Sequence, residues 1–117
     1  MYLTSIILFA LAALGGIVLV TRRLQERPLP MWLAILHGVL AATGLTLLII
    51  GVVMSDAPPS LLQGAIIVFL LAALGGLILF SMHLQGKALP IFLMFAHGII
   101  AVAAFLMFLG AMGYLRG

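Results

Sequence analysis

Residues 31–54 read MWLAILHGVLAATGLTLLIIGVVM, a stretch with no Asp, Glu, Lys or Arg and one ionisable side chain, His37. About 20 predominantly apolar residues are enough to cross a bilayer as a helix, so this segment is expected to be a transmembrane span. Reading outward, three more runs of the same kind occupy residues 3–21, 61–82 and 91–114. The breaks between them carry stop signals. Pro28 and Pro30 close the first, Asp56-Ala57-Pro58-Pro59-Ser60 makes the second, and residues 86–90, ending in Pro90, make the third. Pro30 and Pro90 are expected in the first helical turn, where a missing N–H costs nothing. Ser60 is expected to cap the third helix. Composition agrees: 67% of the 117 residues are hydrophobic and 6% charged. Soluble domains carry about 25% charged residues, so this chain has too few to cover a globule with polar surface. The expected fold is an all-α integral membrane bundle of four transmembrane helices, a single membrane domain over residues 1–117.

The formal net charge of +3 is organised by loop. Arg22, Arg23 and Arg27 cluster at the first break and Lys87 at the third, whereas the second carries Asp56. That alternation is a membrane-orientation signal rather than a nucleic-acid surface. It predicts the first and third loops in the cytoplasm and both termini outside it, with Arg116 as one count on the other side. The setting this implies is a bacterial inner (cytoplasmic) membrane, with the lipid bilayer as partner and no nucleic acid. Met1-Tyr2-Leu3-Thr4-Ser5 lacks a basic n-region, so the first run is expected to stay as a helix rather than be cleaved as a signal peptide. The chain has no cysteine, which excludes disulfides, iron–sulfur clusters and zinc–thiolate sites.

Shifting the sequence by sixty positions superposes it on itself. Half of the positions from 6 to 41 are identical to their counterparts, including Gly15-Gly16 with Gly75-Gly76, Gln25 with Gln85, Leu29-Pro30 with Leu89-Pro90 and His37-Gly38 with His97-Gly98. Apolar bias alone would match Leu and Ala, but not these residues at one fixed offset. The chain therefore reads as two repeats, residues 1–57 and 58–117. Each holds two spans, so both copies enter the membrane from the same side. The repeats are expected to be parallel, about a pseudo-two-fold axis along the membrane normal.

No carboxylate lies inside any apolar run; Glu26 and Asp56 are both in loops. Small multidrug transporters share this length and helix number, but the carboxylate of their first helix is absent here. The intramembrane ionisable residues are His37 and His97, each seven residues after its proline. At about 1.5 Å per residue this is about 10 Å from the helix end, and an ionisable residue at such a depth is a functional-site candidate. By helical periodicity Leu33, Ala34, His37, Ala41, Gly44 and Leu48 share one face, as do Leu93, Met94, His97, Ala101, Ala104 and Phe108. Small residues surround the histidines: Ala41 and Ala101 below them, Gly38 and Gly98 beside them, and Gly16 and Gly76 at the same level on the first and third helices. Two imidazoles, small neighbours and basic groups nearby (Arg23 and, at the matching position, His83) fit the description of a b-type haem site. On this reading His37 and His97 ligate the iron between helices 2 and 4, and Arg23 and His83 are available to the propionates.

With these residues in view, the chain resembles in architecture the small four-helix bis-histidine membrane cytochromes b. It also resembles uncharacterised four-helix bacterial inner-membrane proteins with a repeated Leu-Pro…His-Gly motif. It departs from two-haem membrane cytochromes, which have more helices and more histidines. The resemblance implies an electron-transfer subunit with one haem b and a quinol or partner redox protein, within a homo-oligomer or larger membrane complex. Such a subunit is not expected to be an enzyme by itself. Two alternatives stay open. One is a cofactor-free structural or accessory subunit, in which the histidines hydrogen-bond to neighbouring helices and the glycines serve helix packing. The other is a quinone or pigment site built on the same histidines.

Overall fold

The structure, a computed structural model, describes residues 1–115; Arg116 lies outside the described residues. Four helices follow one another: α1 (Tyr2–Leu24), α2 (Met31–Val53), α3 (Ser60–Leu84) and α4 (Ile91–Ala111). All four are long and apolar enough to cross a membrane. At about 1.5 Å per residue a 23-residue helix spans about 34 Å, slightly more than the roughly 30 Å hydrocarbon core of a bilayer. Each helix packs against its sequence neighbour to form two hairpins, α1–α2 and α3–α4. The hairpins meet through α1 against α4 and α2 against α3.

The helix ends follow local chemistry. Pro30 and Pro90 take extended backbone just before the first helical residue, one position earlier than expected, and their carbonyls accept from the N–H groups of Ala34 and Met94. Proline has no N–H to place there, so the position suits it. Ser60 is not the cap of α3. Pro59 holds that place, its carbonyl accepting from Leu62 and Gln63, and Ser60 is the first helical residue with no capping bond from its side chain. At the other ends α1 and α3 close in the same way: Arg27 N–H donates to Arg22 O and Lys87 N–H to Met82 O. The residue inside each closure has positive φ, Glu26 at 58° and Gly86 at 70°. This is the left-handed C-terminal closure of a helix. Helix α4 stops short of the expected 114 because Gly113, at φ 84°, makes the same turn, with Tyr114 N–H donating to Leu109 O.

Burial follows the expected faces. Along α2 the residues from Leu33 through His37 to Leu48 point inward, and along α4 those from Leu93 through His97 to Phe108 do so. The densest packing lies toward the Asp56 end, where Phe9, Leu48, Leu62, Phe69, Ala104 and Phe108 form one core. Phe9 of α1 stacks flat on Phe69 of α3 with centroids 4.1 Å apart, and Phe108 of α4 meets Phe9 edge-on at 6.3 Å. These rings join the two hairpins. Elsewhere the exterior is apolar: Leu14, Ile17, Val39, Leu74, Leu77 and Ile99 are all exposed. In water, a contiguous belt of this kind would drive aggregation.

Candidate functional site

The inward face of α2 carries His37 against α1, and that of α4 carries His97 against α3. His37 Nδ1 lies 2.7 Å from the carbonyl oxygen of Ala12, and His97 Nδ1 lies 2.7 Å from that of Ala72. A carbonyl can only accept, so Nδ1 carries the proton in both rings and Nε2 is left with its lone pair. Ala12 O and Ala72 O already lie in helices, and a carbonyl has a second lone pair for such a bond. Every fully buried side-chain nitrogen and oxygen among the described residues has a hydrogen-bond partner. Neither Nε2 takes part in a hydrogen bond, so both reach accessible space.

The glycines explain how the rings fit. A Cβ at Gly16 would sit 3.1 Å from His37 Cε1, and one at Gly76 would sit 3.0 Å from His97 Cε1. A Cβ at Gly15 or Gly75 would lie 3.6 Å from the Cβ of the same histidine. Each imidazole thus occupies a notch cut into the facing helix by a Gly-Gly pair and is held there by the carbonyl one turn before it. The two notches bring the rings toward each other, with centroids 6.1 Å apart and planes at 83°. The pair is half-buried and sits between the aromatic core and the arginine end.

The other expected site residues divide into three groups. Ala41 and Ala101 are half-buried on the histidine face, one turn toward the core. Gly38 and Gly98 lie away from it: Gly38 is exposed and Gly98 half-buried, and a Cβ at either would meet nothing within 4 Å. Arg23 and His83 lie at the bundle end, seven residues beyond Gly16 and Gly76, beside a shallow depression between the α1–α2 and α3–α4 loops that Arg27 and Lys87 also line. There Arg23 Nε donates to Leu89 O at 2.8 Å, linking the first hairpin to the loop of the second. The carbonyls of Ala12 and Ala72 were missed by side-chain reasoning. The small-xxx-small pairs Ala12/Gly16 and Ala72/Gly76 were the available signal, because close helix approach exposes a backbone acceptor to a neighbouring side chain.

Among the described residues no three His, Cys, Asp or Glu side chains come together in a group able to hold a metal ion. Two imidazoles alone satisfy a metal only when something else fills its remaining positions. A tetrapyrrole does so with four nitrogens of its own, which leaves two axial places for histidine. Two imidazoles, each with Nδ1 bonded to a carbonyl and Nε2 unbonded, are the kind of donor set a haem iron takes. No family model, curated protein or solved structure matches the chain.

Proposed function

We propose that the chain is a membrane electron-transfer subunit in which His37 and His97 are the axial ligands of one b-type haem held between α2 and α4. The observation that carries this reading is the pair itself: two half-buried imidazoles with centroids 6.1 Å apart, each with Nδ1 bound to a carbonyl. Ligating histidines generally donate their other ring N–H in this way, which fixes the tautomer and turns Nε2 toward the metal. In this reading Gly16 and Gly76 orient the ligands, and Ala12 and Ala72 act through them. The bound haem would supply one-electron chemistry. Quinol or a partner redox protein would be the other participant, in a homo-oligomer or larger complex. The hairpins would be two parallel repeats about a pseudo-two-fold axis along the membrane normal, in a bacterial inner membrane with the arginine end in the cytoplasm.

The test is the dithionite-reduced minus oxidised absorption spectrum of protein produced with ample haem, beside His37→Gln and His97→Gln. Glutamine keeps a donor for the carbonyl but is a poor iron ligand. A sharp b-type band in the wild type, lost in both variants while helicity is retained, is the expected result. Absence of any band in the wild type would overturn the reading. It would leave a second one, also supported by the Gly-notch contacts: a cofactor-free accessory subunit whose histidines only lock α2 to α1 and α4 to α3.

A further inference from the structure

The depression at the arginine end, about 490 Å³, has a composition unlike the rest of the surface. Arg23 comes from the last turn of α1, Arg27 and Leu29 from the first loop, His83 from the last turn of α3, and Lys87 and Leu89 from the third loop. Glu26 is the one carboxylate on its lining. Three cations against one anion thus line a space whose other residues are Pro28, Leu29, His83, Gly86, Ala88 and Leu89. The cations are positioned by the backbone. Both loops leave their helices through the same left-handed closure, at Glu26 and Gly86. Arg22 Nε donates to Pro28 O at 2.9 Å within the first hairpin, and Arg23 Nε donates to Leu89 O at 2.8 Å, which ties the two loops together.

We propose that this depression binds a phosphate group, and that its occupant is the headgroup of an anionic phospholipid. Concentrated positive charge selects the phosphate. The leucine and proline side chains beside the cations suit an amphiphile better than the free anion. The position at one end of four apolar, membrane-length helices puts the site where headgroups lie, and basic pockets between such helices take anionic headgroups. The proposal does not depend on haem: it uses neither histidine of the central pair, and its test rests on Arg27 and Lys87, which the haem reading does not use.

Native mass spectrometry of the full-length protein released from detergent tests it, with phosphatidylglycerol, phosphatidylcholine or inorganic phosphate added in turn. The comparison is with Arg27→Gln/Lys87→Gln, which spares the Arg23–Leu89 contact; circular dichroism confirms that the variant is folded. Retained phosphatidylglycerol adducts are expected in the wild type, with little phosphatidylcholine retained. Each surface cation contributes about fivefold in affinity for an anionic surface, so the double variant should bind about 30-fold more weakly. Equal retention of the two lipids, or phosphatidylglycerol binding that survives the double substitution, would overturn the proposal. Competition by inorganic phosphate at equal concentration would show that a soluble phosphate is the occupant and overturn the lipid assignment.

Discussion

A methyl group at Gly16 would sit 3.1 Å from His37 Cε1, whereas one at Gly38 would meet nothing within 4 Å. The same residue type therefore has opposite consequences at two places near one histidine. Gly16→Val has no room for its branched side chain unless the imidazole leaves the notch and gives up Ala12 O. We expect loss of any His37-dependent spectral signal and a lower melting temperature in micelles. Gly38→Ala should stay within about 1 kcal/mol of wild type, on the favourable side, because alanine is the better helix former. Thermal unfolding of the two variants side by side checks both; a melting temperature for Gly16→Val equal to the wild type would refute the notch. The buried bond from Ser5 Oγ to Gly44 O, 2.6 Å long, makes a milder case. The second hairpin has Ala65 and Ala104 at the matching places, both fully buried, so that hairpin packs without the bond. Ser5→Ala should cost about 0.6 kcal/mol, the usual worth of a polar contact between membrane helices, as read by chemical denaturation in mixed micelles.

Between elements, aromatic rings join the two hairpins. Phe9 stacks on Phe69 at 4.1 Å and meets Phe105 and Phe108 edge-on at 6.4 and 6.3 Å. Phe9→Ala removes one member from three ring contacts at once and leaves a cavity between hairpins, so about 3 kcal/mol should be lost. The loss should appear as separation of the hairpins before either unfolds, which pulse proteolysis at the 54–60 loop would report; cleavage no faster than in the wild type would contradict it. Most of this level was legible in advance. The histidine faces of α2 and α4 followed from a 3.6-residue period, and the helix count from apolar runs between prolines. Phe9 and Phe69 matched across the repeat, but nothing in that match indicated that the two rings touch, because α1 and α3 are not neighbours in sequence. The carbonyl partners of the histidines were hidden for a related reason: a backbone acceptor has no side-chain signature. Helix ends were missed where backbone conformation decided them, as with the extended Pro59 that displaced Ser60 from the cap and the left-handed Gly113 that ended α4 early.

At the scale of the whole molecule, the distribution of charge along the long axis makes a claim about orientation. The bundle extends 46 Å along that axis, about the full thickness of a bilayer with its headgroups. Arg22, Arg23, Arg27 and Lys87 gather at one end, and Asp56 lies at the other. Basic residues close to span ends stay in the cytoplasm, so the loop around Asp56 should face outward together with the amino terminus. The absence of cysteine makes this directly measurable, since any introduced thiol is the sole one in the chain. Ala57→Cys and Ala88→Cys occupy exposed positions in the second and third loops and do not remove a charge from either end. In intact cells, a membrane-impermeant maleimide should label Ala57→Cys and leave Ala88→Cys unlabelled until the membrane is permeabilised. The reverse pattern would place the basic depression on the outer surface and invert the proposed topology. Labelling of both in intact cells would mean that the population inserts in two orientations, as expected if a difference of a few charges between the ends is too small to commit a chain with so little mass outside the membrane.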